Sequence, residues 1–384
     1  MSENYRICIH CVMDTSDPDI KFDEEGVCNY CRAFEERGKG IVERAASEEG
    51  SRQLDTLVAR LKSAGKGKEY DCLVGVSGGV DSSYVAYQTK RLGLRPLAVH
   101  FDSGWNSELA VSNIENLIKK LNIDLYTYVV DWDEMSDLQL AFFMASVANC
   151  DIPTDHAFLT VLYRVAAEHG IRYILSGYNT ATEFILPKSW GYNAADTRHI
   201  KSIHAQFGKT RLRKYPFLPF VKRYIYYPFF RRIQAIPLLD YMTYNKAEAK
   251  KIITEELNWR DYGVKHGESV FTRFFQSYYL PKKFGYDKRR AHLSSLIVSG
   301  QMTRNEAMAE LARPVFTDAE MQADKEFVAK KLGISIEEFD AILARPHKTY
   351  KDYSSNECLF KLKDRVVEVL PNLRYSVTGR FDSK

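Results

Sequence analysis

The chain has 384 residues, enough for two or three domains rather than one. Its 45% hydrophobic and 27% charged residues exclude wholesale disorder, a collagen-like repeat and low complexity. With 54 Lys and Arg against 50 Asp and Glu, the net charge of +4 does not mark the whole chain as a nucleic-acid binder. It has no apolar run of roughly 18 residues, and Met1–Arg6 has no apolar core, so neither a membrane span nor a secretory signal is expected. The expected location is cytoplasmic and reducing, with the seven cysteines as thiols or metal ligands.

Four of those cysteines lie in the first 31 residues. A polar helical connector is predicted over residues 34–66. Tyr70–Val76 is a short apolar run ending in Ser77-Gly78-Gly79, the pattern of a buried strand entering a tight turn. Helical spacing resumes from Asp81 to about Leu92. Leu97–Phe101, Leu125–Val130 and Arg172–Ser176 read as further strands, with helical stretches at Leu109–Leu121 and Ala157–His169 between them. Gln234–Leu239 reads as a fifth strand, which Pro237 demotes toward an edge. Strands alternating with helices predict a parallel sheet covered on both faces. From Asn245 onward the pattern is helical and strongly charged.

Cys8-Ile9-His10-Cys11 and Cys28-Asn29-Tyr30-Cys31 place two C-x2-C pairs 16 residues apart. Two such knuckles complete a tetrahedral four-thiolate shell, and Cys8, Cys11, Cys28 and Cys31 are the expected Zn²⁺ ligands. The polar stretch between them is too weak in apolar residues to fold unaided, so metal would supply its folding energy. An iron–sulfur cluster and four unrelated cysteines are the alternatives, and His10 is read as a bystander.

Ser77-Gly78-Gly79-Val80-Asp81-Ser82-Ser83 sits between the first strand and its helix. The glycines allow close backbone approach, and N–H groups at a helix start suit a phosphate. The hydroxyls of Ser77, Ser82 and Ser83 add donors, and Asp81 can hold Mg²⁺. The lysine of a nucleotide-kinase loop is missing, which disfavours γ-phosphoryl transfer. A generic helix cap is the plain alternative.

This segment resembles the PP-loop ATP pyrophosphatase superfamily, of adenine nucleotide alpha hydrolase-like fold. The resemblance implies cleavage between the α- and β-phosphates of ATP, adenylation of an amide or carboxyl oxygen, and release of AMP to an incoming nucleophile. It also implies that His100, Phe101 and Asp102, ending the second strand, lie near the adenosine. Gly177, after the fourth strand, would let the chain approach the nucleotide. Glu183 beyond it is a candidate for metal or substrate, weighed against a solvated loop.

No glutaminase is evident, because no cysteine has a glycine-flanked turn or stands at a mature N-terminus. Ammonia would then come from a separate subunit, and sulfur from a carrier or a cysteine of this chain. Trp259–Ser269, Phe271–Gln276 and Leu280–Arg290 resemble the N-acetyl sugar amidotransferase family of bacterial surface-polysaccharide biosynthesis, as does Cys8–Thr15. The resemblance covers about residues 5–315 and departs at Gly267, where a larger residue is expected. It implies that the acetamido group of a nucleotide-activated sugar becomes an acetamidino group, using ATP and ammonia from glutaminase and cyclase-like partner subunits. Lys265 and His266, after the Gly263 break, are the expected catalytic pair beside Asp81. Arg273, Lys282, Lys283, Lys288, Arg289 and Arg290 could bind the diphosphate and carboxylate of the nucleotide sugar, or form a solvated face. Arg198, Lys201 and His204 are weaker candidates.

Residues 209–232 carry eight Lys or Arg, eight Tyr or Phe and no acid. Partner docking or membrane proximity through 208–232 is expected over a buried hairpin or nucleic-acid contact. The expected architecture is a four-cysteine zinc knuckle over 1–35 and a connector over 36–66. A doubly wound, mostly parallel five-stranded ATP-binding α/β domain follows over 67–243, then a helical substrate or partner domain over 244–384. A tRNA-thiolating enzyme of the same superfamily is the competing activity, and a nucleotide-sensing scaffold the competing non-enzyme.

Overall fold

The computed structural model describes residues 5–263 and 267–369. Its centre is a five-stranded sheet in the order β3-β2-β1-β4-β5: β1 Cys72–Gly75, β2 Pro96–Asp102, β3 Asp124–Val129, β4 Tyr173–Ser176 and β5 Gln234–Pro237. Every pairing is parallel. The chain runs outward from β1 through β2 to β3, then crosses back to β4 on the other side. That reversal opens a crevice at the carboxyl ends of β1 and β4, where sheets of this kind bind ligands. Pro237 ends the edge strand β5, where a residue without an N–H breaks no ladder.

Successive strand residues face opposite cores, as the two-residue period of a pleated strand requires. Leu73, Val99 and Ile174 join one core with Phe142 and Leu162 from the helices Trp132–Met144 and Ile152–Glu168. Val74, Ala98 and Leu175 join the other, with Leu57, Val85, Leu117 and Ile253 from Glu48–Ala64, Val80–Arg91, Glu108–Leu121 and Lys246–Leu257. Burial on both faces is why these strands read as continuous apolar runs. Residues after 243 take part in both layers: Ile253 and Trp259 in the second core, Phe271, Phe274 and Tyr279 in the first.

The helix Trp132–Met144 lies where the sequence pattern predicted nothing regular. Its N-cap is Asp131, whose Oδ1 accepts from the Glu134 N–H at 3.3 Å. Polar residues such as Glu134 and Gln139 are buried among its apolar ones, which erases the helical period.

The first half of the basic insertion has no regular structure. Carboxylates of that same helix hold its backbone: Glu134 accepts from the N–H groups of Arg213, Lys214 and Tyr215, and Asp137 from Lys209 and Thr210. Among the described residues, no helix is long and apolar enough to cross a membrane.

Candidate active site

The loop Ser77–Ser83 leaves β1 at the crevice and leads into the helix Val80–Arg91. Gly78 adopts φ +84°, a backbone that a side chain would strain. Its carbonyl accepts from Trp259 Nε1 at 2.7 Å and from the Tyr262 hydroxyl at 2.8 Å. Asn113 Nδ2 donates to the Tyr262 oxygen at 3.0 Å, so two distant segments fix this peptide. The Ser77 and Ser82 hydroxyls lie 3.2 Å apart, and Ser77 Oγ accepts from the Gly79 N–H. Ser83 is fully buried, with no hydrogen-bond partner for its Oγ among the described residues.

Gly177 backs the loop from β4. A Cβ there would stand 3.2 Å from the Ser82 nitrogen, so only glycine lets the β4 turn press this close to the helix start. Glu183 ends the turn Thr180–Glu183, and its charge helps raise the Tyr244 pKa. Tyr244 donates to Asp81 Oδ1, and Lys246 Nζ lies 3.9 Å from Asp81 Oδ2. Burial first, and the Asp81 charge second, push the Tyr244 hydroxyl well above its ordinary range, so it stays a donor. Tyr244 and Lys246 were not expected from the sequence, because nothing local ties them to a loop 163 residues earlier.

At the end of β2, buried His100 bridges two loops. Its Nδ1 faces the Val76 carbonyl at 3.0 Å, which requires Nδ1 to carry the proton. Nε2 then accepts from Asn106 Nδ2, also at 3.0 Å, and Asn106 donates to Asp102 Oδ1 at 3.1 Å. The Phe101 ring packs in the core, stacked on Tyr128.

Lys265 and His266 lie outside the described residues. Their described flanks both reach the loop. Tyr262 binds the Gly78 carbonyl, and a Cβ on Gly79 would lie 3.2 Å from Glu268 Oε1. Just beyond, the strand-like pairing of Asn106 with Ser269 and the bond from the Ser107 N–H to the Glu268 carbonyl (2.9 Å) fasten this segment beside β2.

The basic set expected to clamp a nucleotide sugar is largely engaged elsewhere. Arg273 forms a two-pronged pair with Asp324. Lys283 is buried and donates to the carbonyls of Ile342, Leu343 and Arg345. Arg289 pairs with Asp287, and Arg290 with Asp14 and the Val12 carbonyl. His204 meets Asp137 at 3.1 Å, and Lys201 lies over the Phe217 ring. These cations hold helices and loops together, which composition alone does not distinguish from ligand binding.

Cys8, Cys11, Cys28 and Cys31 come together with their sulfurs all within 4.8 Å and almost no solvent exposure. Sulfur separations of 3.6, 3.7 and 4.0 Å bracket the roughly 3.8 Å edge of a tetrahedron with Zn–S bonds of about 2.3 Å. Backbone N–H groups of Cys11, Met13 and Cys28 point at these sulfurs, the environment of a thiolate. His10 Nδ1 lies 3.4 Å from the Cys31 sulfur, outside the four. The cluster is compatible with zinc.

The knuckle also fastens later parts of the chain. Arg304 donates to the carbonyls of Cys8 and Cys11, and the Val12 N–H to Ser294 Oγ. Ser189, just past the Thr180–Glu183 turn, donates to Asp17 at 2.6 Å.

The sheet order, the glycine- and serine-rich loop leaving its central strand and Gly177 against that loop define a doubly wound α/β protein with its candidate site at the switch point. Residues 268–367 match the family model described as LPS biosynthesis protein WbpG-like, C-terminal domain. Over this part the chain is similar to that family, in agreement with the resemblance read from its sequence. No curated protein is matched. Among solved structures the chain is similar to NMN synthetase from Francisella tularensis, with 21% identity and a TM-score of 0.28. That match covers 35% of this chain and 57% of the other, little more than half its length. It is also similar to NAD+ synthetase from Burkholderia pseudomallei, with 17% identity over 58% of this chain and 97% of that one, and a TM-score of 0.26.

Proposed function

We propose that the chain is an ATP-dependent amidotransferase that converts the acetamido group of a nucleotide-linked N-acetyl sugar into an acetamidino group for lipopolysaccharide biosynthesis. The observation that carries this reading is the lysine-free Ser77–Ser83 loop at the β1–β4 crevice, with the segment leading into the WbpG-like region fastened against it. The acetamido oxygen attacks the α-phosphorus as the bond to the bridging oxygen breaks and pyrophosphate leaves. Ammonia adds to the adenylated carbon, AMP departs with the C–O electron pair, and a proton is lost.

The roles follow from position. The N–H groups of the loop and the hydroxyls of Ser77 and Ser82 grip pyrophosphate, at a helix start that favours anions. Asp81 is the residue that would hold Mg²⁺, which neutralises phosphate charge when bound. Lys265 and His266 are assigned to the reacting amide, because both described flanks of their segment reach the glycines of the loop. The four-cysteine cluster is assigned a structural zinc. Ammonia is assigned to glutaminase and cyclase-like partner subunits. Cysteine placement gives sulfur transfer no support: Cys72 and Cys150 are fully buried with thiols pushed well up by desolvation. Cys358 stands exposed on the helix Glu357–Val369.

The test is pyrophosphate and AMP release with ammonium and a series of nucleotide-linked N-acetyl sugars. Sugar-dependent release of both products is expected. ADP and phosphate as products, or release stimulated by tRNA and not by any sugar, overturns the reading.

A further inference from the structure

The basic insertion ends in a helix whose exposed face is apolar. Lys222–Phe230 is a wide-turn π helix with Pro228 inside it, a residue that cannot complete an ordinary helical ladder. Exposure along it alternates in pairs. Val221 with Lys222, Ile225 with Tyr226, and Phe229 with Phe230 face out, while Arg223, Tyr224, Tyr227 and Pro228 face in. Phe230 is 74% exposed, Val221 61% and Phe229 47%. The helix Glu357–Val369 lies alongside, with Phe360 packed on Phe220 and Tyr224 at ring distances of 5.4 and 5.9 Å. It adds exposed Leu359, Leu362 and Val366. Contiguous apolar exposure of this kind marks an interaction surface.

The rim is cationic. A groove of about 450 Å³ separates the Lys222–Phe230 helix from the helix Ile152–Glu168, and Arg164, Lys222 and Arg231 line it with Tyr226 and Tyr227. Glu168 is the acid lining it, 3.6 Å from Arg164 Nε. Lys222 Nζ lies over the Tyr227 ring, and Arg231 donates to the Ala167 carbonyl.

We propose that the 221–230 face docks on a bilayer rich in anionic lipid. Phe229 and Phe230 enter the boundary between headgroups and acyl chains, while Lys222, Arg231 and Arg232 meet lipid phosphates. Aromatic rings beside cations, with no acid anywhere in 209–232, are the complement of such a surface. A second copy is the poorer occupant, because a two-fold contact would set the same cations against themselves. The surface is independent of the amidination chemistry.

The test is co-sedimentation of the full chain with phosphatidylglycerol vesicles and with phosphatidylcholine vesicles. Binding to the first, little to the second, and loss with rising salt are expected. The double variant Phe229→Ser/Phe230→Ser, and separately Lys222→Glu/Arg232→Glu, should each lower partitioning roughly tenfold or more. Cooperative thermal unfolding is the fold control. If the serine pair fails it, the charge-reversed pair decides. No binding to anionic vesicles, salt-insensitive binding to both lipids, or binding unchanged by a folded variant overturns the proposal. So does a dimer in light scattering that the serine pair dissociates, which would make a second copy the occupant.

Discussion

Tyr244 donates its phenolic hydrogen to the Asp81 carboxylate across 163 residues of sequence. The contact joins the segment following β5 to the loop following β1. It aims one carboxylate oxygen and leaves the other 3.9 Å from Lys246. Tyr244→Phe removes the donor while keeping the ring that packs 5.6 Å from Tyr84. We expect an intact fold and turnover lowered by about tenfold, because a misplaced carboxylate costs positioning rather than binding of the nucleotide body. Steady-state pyrophosphate release across a Mg²⁺ titration measures this, and unchanged kinetics would show that Asp81 needs no aiming.

Asp81→Asn and Ser82→Ala test whether the loop acts on the transferring group itself. Removing one positioned charge or hydroxyl should cost roughly 10²–10³ in AMP formation, by analogy with other electrostatic stabilisers. Circular dichroism should stay native. A variant that keeps its full rate in the AMP assay would move the chemistry away from this loop.

Lys265→Ala should lower turnover at least about tenfold with nucleotide affinity little changed, since a lysine near the α-phosphate stabilises charge that grows only as the bond forms. Fluorescent-nucleotide binding alongside rates separates the two effects. A weaker affinity at unchanged turnover would recast this lysine as a ground-state contact.

Chelation should leave the loop chemistry intact at first and loosen the ends of the chain. We expect one zinc per chain by elemental analysis. In Cys28→Ser, proteolytic cleavage should begin in residues 5–35, because knuckles with so few apolar residues draw their stability from the metal. Iron with labile sulfide, or no metal in freshly purified protein, would refute the zinc assignment.

Buried His156 makes stability depend on pH. Its Nδ1 donates to the Ala194 carbonyl at 2.6 Å and its Nε2 accepts from the Leu218 N–H at 3.0 Å, so the folded state holds it neutral. Burial lowers its pKa to about 4, against 6.5 unfolded. The unfolded chain therefore takes up the proton first as pH falls. Stability is full above pH 6.5 and is lost between there and about 4. By pH 5 the loss is on the order of 2 kcal/mol, read as the change in urea midpoint between pH 7 and 5. His156→Gln should start less stable and lose less.

The strands β1, β2 and β4 were legible because burial on both faces leaves unbroken apolar runs such as Cys72–Gly75. The cysteine cluster was legible because its spacing is local chemistry. Val80–Arg91 was legible from the glycines before it and its recurring apolar residues. Burial also hid Trp132–Met144, whose helical period is erased by polar residues buried among its apolar ones. The partners of the loop were out of reach for a different reason. Trp259, Tyr262 and Glu268 meet Gly78 and Gly79 only after more than 180 residues of chain have been folded between them. Arg289 and Arg290 look alike in sequence to phosphate-binding arginines. Only the placement of Asp287 and Asp14 assigns them to packing.

The bond from Arg304 to the Cys8 carbonyl spans 296 residues and bears on the order of assembly. On a ribosome the cysteines emerge well before that partner, at synthesis rates of about 5–20 residues per second. Their docking surface on Ser294 and Arg304 lies 282 and 296 residues further along the chain. A metal-loaded knuckle would therefore wait, tethered and unpaired, while the residues up to 304 are made. Metal supply and synthesis of the 294–304 segment would then be separate checkpoints, and a chain truncated before residue 290 would keep the four cysteines together without the surface that closes over them.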